Sequence, residues 1–385
     1  MSNLKRFSSK FAFFCIVLCF CINFLFSQNS NENFIVGADL STLQQYENAG
    51  VKFFDSENNE ISDLLKFFCD RNLDCVRFRV WVNPELSEEN LSKTDYCNLE
   101  NTIKMAKRVK SLGMKVLIDF HYSDYWADPA QQNIPKKWQE KISLIEKEEI
   151  QSYLQNIIFV YTLTSLQKFK EAGIEVDFVQ IGNEITNGIL FPYGKIKNSG
   201  SDYQKFFDTA KFLEKGILAT RQIFPETKII LHLDCSGDLN RCLWWFSCAN
   251  QFNLDYDIIG LSYYSLWQGK DLSQLEKNIK SLSQKFQKGV FIVETSYPWT
   301  LSWKDNLSNL YGMKNQLIEG FDASPKGQTE YFKKICEIVK TSVKDLPSAV
   351  FWWESTSISA PNKNLGSTIE NTTWFDFQNR YIGPL

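Results

Sequence analysis

The chain of 385 residues carries two histidines and no Cys-x-x-Cys pair. Zinc sites of the Cys/His kind need four such ligands at close spacing, so that class is excluded. No block of lysine and arginine stands out, and the formal net charge is -3. Nucleic acid is excluded as a partner, because phosphate binding needs clustered cations. There is no low-complexity tract, no repeat of fixed period and no long Pro/Gly/Ser linker. One folded unit spanning residues 28–385 is therefore expected, with no required cofactor.

What is present is apolar and aromatic. Hydrophobic residues make up 44% of the chain and aromatics 15%, with 11 Trp. Most of the 31 Phe are accounted for by core packing. Trp and Tyr beyond that suit a cleft for sugars, whose pyranose faces are apolar and pack on rings.

The N-terminus points to export. Lys5, Arg6 and Lys10 precede an apolar run at residues 11–26, and the chain turns polar from Ser27. A basic flank, a short apolar core and a small residue at the exit describe a secretory signal peptide over residues 1–27. The run is short of the roughly 20 apolar residues that span a bilayer. Secretion to the exterior or periplasm is expected. Cell-surface anchoring stays open, since Cys15, Cys19 and Cys21 lie in this run, although none sits in a lipoprotein box. Seven cysteines follow, an odd number. The local candidates for bridging are Cys69 with Cys75, and pairs among Cys235, Cys242 and Cys248.

Eight short apolar runs come next, at residues 34–39, 75–81, 115–120, 176–182, 228–233, 257–262, 290–294 and 349–353. They are continuous rather than alternating, as strands buried on both faces are. Helical patterns lie between most of them, and Gly113 and Gly173 are placed to end two helices. The stretch at 235–252 gives no clear pattern. Strand and helix alternating in this way predict an α/β fold, a single (β/α)8 TIM barrel.

Such barrels carry their chemistry at the C-terminal ends of the strands. Those ends are polar here. The fourth run leads into Asn183 and Glu184, and the seventh ends in Glu294. Hydrolysis of a glycosidic bond with retention needs one carboxyl group to protonate the leaving oxygen and another to attack, about 5–5.5 Å apart. Strands four and seven lie across a barrel from each other, so Glu184 and Glu294 can converge over its mouth. Glu184 is the candidate acid/base, kept protonated by the nearby charge of Glu294. Glu294 is the candidate nucleophile, with Arg77 holding it ionised and a strand-six tyrosine, Tyr264, orienting it. Asn183 is placed to hold the sugar 2-hydroxyl. Strand five ends in His232 and Asp234, which join the candidate site by position.

Four longer runs carry a resemblance: VRFRVWVNP at 76–84, LIDFHYSDYWADPAQQNIPKKW at 117–138, IGNEITNGILFPYG at 181–194 and IVETSYP at 292–298. They resemble glycoside hydrolase family 53, the arabinogalactan endo-β-1,4-galactanases, over residues 34–377. The resemblance implies a β-1,4-galactan of pectin as the polysaccharide partner. It also assigns Asp119, His121, Trp126 and Asp128 to the cleft-forming third loop and Trp353 to stacking under the cleaved sugar. Two departures, Ser355 after Trp353-Glu354 and Phe191, touch distal sugar contacts. Some bacterial members bind calcium in the seventh loop, where Asp305 and Asn309 could contribute oxygens. Two oxygens fall short of a metal site, and a solvated loop is the reading adopted. A monomer is expected. The alternatives are another endo-β-1,4-glycanase of the same clan, such as a mannanase, and a non-catalytic glycan-binding barrel.

Overall fold

The structure, a computed structural model, describes residues 34–90 and 94–385. The expected leader at 1–27 lies outside the described residues. Eight parallel strands close a barrel: β1 (Phe34–Asp39), β2 (Cys75–Val80), β3 (Lys115–Phe120), β4 (Phe178–Ile181), β5 (Lys228–Leu233), β6 (Ile258–Tyr263), β7 (Gly289–Thr295) and β8 (Ser348–Trp352). β1 pairs with both β2 and β8, so the barrel has no open edge. All eight fall on the expected apolar runs, three of them with the same ends and the others with ends shifted by at most two residues.

One crossover helix lies in each of the seven gaps between successive strands: α1 (Leu64–Cys69), α2 (Leu99–Ser111), α3 (Ile150–Glu171), α4 (Asp202–Ile223), α5 (Leu239–Gln251), α6 (Leu272–Phe286) and α7 (Pro325–Ser342). Two further short helices, Leu43–Asn48 and Lys136–Ile142, precede α1 and α3. Side chains cap several of them. Asp63 accepts from the backbone of Leu65 and Lys66 at the start of α1, and Ser201 forms a capping box with Gln204 at the start of α4. Gly113 and Gly173 follow α2 and α3 with φ of 81° and 73°, the left-handed turn that ends a helix without a Cβ clash. The unclear stretch at 235–252 contains α5. Its pattern is obscured because Trp244 and Leu243 add apolar residues off its buried face.

The eighth repeat departs from the expected alternation. After β8 the described chain forms two 3-10 turns, Pro361–Lys363 and Glu370–Thr372, and no α-helix. Aromatic packing takes the helix's place. Trp374 and Phe375 lie edge-on to Phe68 of α1, and Tyr381 packs on Phe67.

The barrel interior is layered. Ile35, Leu117, Phe178, Ile230, Phe291 and Phe351 form an apolar floor separate from the core beneath the helices. Gly37 makes room for it: a Cβ there would lie 2.3 Å from the Phe351 ring. Side chains alternate along a strand, so one pleat further on the same strands deliver Arg77, Asp119, Gln180 and His232. All four are buried, and they form a polar layer under the mouth.

The cysteines do not pair as expected. All seven described cysteines are free thiols. Cys75 points into the barrel floor, whereas Cys69 sits on α1 outside the sheet and donates to Leu112 O. The two thus lie on opposite faces of the strand. Cys235 and Cys242 do meet, with Sγ atoms 3.0 Å apart. Cys248 lies further along α5 and joins neither.

Candidate active site

Arg77 is the hub of the polar layer. Its Nη1 donates to Asp39 at 2.9 Å, and its Nη2 reaches Asp119 at 2.8 Å, Asn183 Oδ1 at 2.9 Å and Glu294 Oε1 at 2.9 Å. Strand register explains the convergence, since Asp39 pairs beside Arg77 across β1 and β2. A guanidinium surrounded by three carboxylates offsets the cost of its own burial. Burial pushes the Asp119 carboxyl up, and Arg77 and His121 more than cancel that, holding it below the usual range. His121 Nε2 lies 3.0 Å from Asp119, while its Nδ1 accepts from Trp81 Nε1 and the Ala127 backbone. His121 therefore anchors the third loop to the polar layer.

Glu184 and Glu294 line one cleft with Trp126, Tyr264, Trp267 and Trp353, a space of about 470 Å³. Their surroundings differ. Glu294 is bound by Arg77 on Oε1, and Tyr264 Oη donates to its Oε2 at 3.1 Å. Burial pushes its pKa up to about 7, with Arg77 and Tyr264 pulling it back and Asp119 and Asp39 adding to the rise. Among the described residues no cation pairs with Glu184. Ser262 Oγ donates to its Oε1 at 2.6 Å. Burial, and then the charge of Glu294, push its pKa well above the ordinary glutamate range. The two groups titrate as a pair, and the first negative charge settles on Glu294 beside the guanidinium.

Backbone geometry aims these groups. Glu184 has φ 49°, Tyr122 φ 53° and Glu354 φ 51°. Tyr122 and Glu354 are the second residues after β3 and β8, and Glu184 is the third after β4. A non-glycine residue held left-handed costs on the order of 1–3 kcal/mol, a strain typical of sites where side-chain direction matters. β7 also slips register against β6 between Leu261 and Ser262, which sets Ser262 opposite Glu294.

The remaining expected residues divide. Asn183 Oδ1 accepts from Arg77, and its amide donates to Ala127 O at 2.9 Å. Trp353 faces Trp126 and Tyr264, with ring centroids 6.0 and 6.2 Å away. His232 is buried within hydrogen-bond reach of Gln180, Asn183 and Ser262. Asp128 closes its own turn, accepting from Ala130 and Gln131, at the cleft edge. Asp234 is held through its backbone by Thr186 and Gln268 rather than lining this cleft. Asp305 accepts from the backbone of Leu307 and Ser367, and Asn309 reaches Glu370.

Several residues of the site were not selected from sequence. Arg79 pairs with Glu354 across β2 and the end of β8, and its guanidinium lies 4.2 Å from the Trp126 ring centroid. Gln180 donates to Asp119 at 2.6 Å. Ser262 bridges Glu184 and His232. The available signal was polarity inside buried strands, in V-R-F-R-V, V-Q-I and L-S-Y.

A closed parallel barrel with two unequal carboxyl groups at its mouth belongs to the class of (β/α)8-barrel hydrolases. Residues 35–385 match the family model for glycosyl hydrolase family 53, and the chain belongs to that family. It is a glycoside hydrolase. A protein of Niallia circulans, known by its place in the bgaB 5′ region, is 36% identical over 360 residues, covering 91% of this chain and 92% of its own. The arabinogalactan endo-β-1,4-galactanase of Cellvibrio japonicus is 34% identical over 354 residues, covering 90% of this chain and 87% of its own. The GH53 catalytic domain of Ignisphaera aggregans superposes with a TM-score of 0.81 at 29% identity, covering 91% of this chain and 94% of that one.

Proposed function

We propose that the protein is a secreted endo-β-1,4-galactanase that cleaves galactan side chains of pectin with retention, by double displacement. The family membership supports the substrate class, and the relative from Cellvibrio japonicus carries that activity in its name. The observation that carries the mechanism is the unequal setting of the two glutamates. Glu294, whose charge Arg77 stabilises, attacks the anomeric carbon. Glu184, protonated by its surroundings, gives its proton to the departing glycosidic oxygen. A galactosyl ester on Glu294 results. Glu184, now a carboxylate, takes a proton from water, and that water breaks the ester with a second inversion.

The shape of the mouth supports an internal cut. Trp126 lines the catalytic cleft and also a second depression of about 280 Å³ with Leu86, Tyr125 and Asn133. The two spaces share Trp126 in their linings, and the reading takes them as neighbouring stretches of one aromatic-lined groove. Trp353 supplies the stacking face beside Glu294, and Asn183 the contact to the 2-hydroxyl.

The leader expected at residues 1–27 accounts for secretion, and the reading includes a monomer with no cofactor. Among the described residues no helix is long and apolar enough to cross a membrane. Reducing-sugar release from a panel of β-1,4-linked polysaccharides tests the substrate. Hydrolysis of galactan but not mannan is expected, and the reverse would end the substrate assignment. NMR of the first-formed product tests retention, and an α-anomer would end double displacement. N-terminal sequencing of the exported protein tests the leader.

A further inference from the structure

We infer that Ser262 and His232 decide which oxygen of Glu184 carries the catalytic proton. This rests on the acid/base role proposed above for Glu184. Ser262 lies fully buried at the end of β6, with Oγ 2.6 Å from Glu184 Oε1 and 2.8 Å from His232 Nε2. A hydroxyl has one proton to donate, so the tautomer of His232 fixes its direction. Two donors converge on His232 Nδ1: the Glu184 backbone N–H at 3.3 Å and Gln180 Nε2 at 3.1 Å. Asn183 Oδ1 stands 3.0 Å from the same nitrogen and would accept from it in the other tautomer. Asn183 Oδ1 already accepts from Arg77 at 2.9 Å, whereas a protonated Nδ1 would leave the Glu184 N–H without this acceptor.

With Nδ1 accepting, the ring proton sits on Nε2 and points at Ser262. Ser262 then accepts from His232 and donates to Glu184 Oε1. That oxygen is occupied as an acceptor in both states of the carboxyl group. The transferable proton therefore resides on Oε2, which carries no hydrogen bond to the described residues and is not enclosed by them. Oε2 is the oxygen left to face a glycosidic bond in the cleft. Burial and Arg77 hold the His232 imidazole well below its usual range, so it stays neutral and the relay keeps one direction. Among the described residues, the charged and titratable groups whose charge or hydrogen bonds reach Glu184 are Glu294, Asp234, Asp128, Tyr264 and His232. Ser262 is the hydroxyl that bonds its carboxylate directly, which makes Ser262 a positioning residue.

The inference is tested with Ser262→Ala and Glu184→Gln side by side in the full chain. Removing the hydroxyl removes a bond that favours the ionised form. The alkaline limb of kcat/KM on galactan should rise by about one pH unit, and kcat should fall about tenfold or more. On a 2,4-dinitrophenyl β-galactobioside, whose leaving group needs no proton, the glycosylation rate of Ser262→Ala should match the parent. Nitrogen-15 NMR should show His232 neutral with its proton on Nε2, a clean measurement in a chain with two histidines. An alkaline limb that moves down or stays put, equal losses on both substrates, or an Nδ1–H tautomer would each overturn the inference. Glu184→Gln separates the two levels. If it lacks the same leaving-group dependence, the acid/base assignment itself falls. If it shows the dependence and Ser262→Ala does not, the role of Ser262 alone falls.

Discussion

Arg77 Nη2 lies 2.9 Å from Glu294 Oε1, while Glu184, in the same cleft, receives a serine hydroxyl at 2.6 Å in place of a cation. A charge at one carboxylate and a neutral donor at the other give two chemically identical side chains unequal affinities for a proton. Arg77→Met should lower kcat on galactan by at least about 100-fold, since electrostatic support of the reacting group is lost. It also takes the guanidinium away from buried Asp39 and Asp119. A stability loss of about 3–5 kcal/mol is expected from denaturant unfolding. An active, stable Arg77→Met enzyme would contradict this account of the polar layer.

The pH profile of kcat/KM should be bell-shaped with both limbs displaced upward. Glu294 is pushed up to about 7, so activity should fall as pH drops through that region and its carboxylate takes up a proton. Burial and the charge of Glu294 raise Glu184 well above the ordinary glutamate range, so its loss of a proton sets the alkaline limb. An acid limb at the ordinary glutamate value, near about 4.3, would show that Arg77 outweighs burial.

Glu184→Gln and Glu294→Ala should each reduce turnover of galactan by roughly 1000-fold or more, with binding of galacto-oligosaccharides largely kept. Isothermal titration on the inactive variants checks the second half of this statement.

The same pair should cost stability at neutral pH. A carboxyl group whose folded pKa is raised favours folding when protonated, and that contribution is lost as pH rises through the folded value. Glu184→Gln removes the charge, so it should melt above the parent at pH 8. The gap should close below about pH 4, where Glu184 is protonated in both folded and unfolded chains. Thermal melts across pH measure this, and a constant gap would contradict the raised pKa.

Arg79 should be structural as well as supportive. It joins Glu354 after β8 to β2 and lies under the Trp126 ring. Arg79→Met leaves Glu354 buried with Thr42 and Ser357 as its partners. A loss of about 3–5 kcal/mol is expected. Weakened binding of longer galactans should accompany it as Trp126 loses its support, which product sizing and KM on polymer against short substrate would reveal.

Eight apolar runs, separated by helical periodicity, were enough to place the eight barrel strands. That is because a strand buried on both faces is apolar over most of its length, whereas a helix packed on the barrel is apolar on one face only. The ordinal positions of Glu184 and Glu294 followed, and the HYSDYWADP stretch pointed to the family. Other features were decided in space. Cys69 and Cys75, six positions apart, fall on opposite faces of β2. The eighth helix is replaced by aromatics from the chain end packed on α1, contacts made across some 300 residues. Above all, Arg79, Gln180 and Ser262 look like stray polar residues in apolar strands. Alternation turns them inward, and closure of the barrel brings them to Trp126, Asp119 and Glu184. Residue type and order determined which carboxylates stand at the mouth; the closed sheet, by bringing a cation to one and a hydroxyl to the other, decided that they differ.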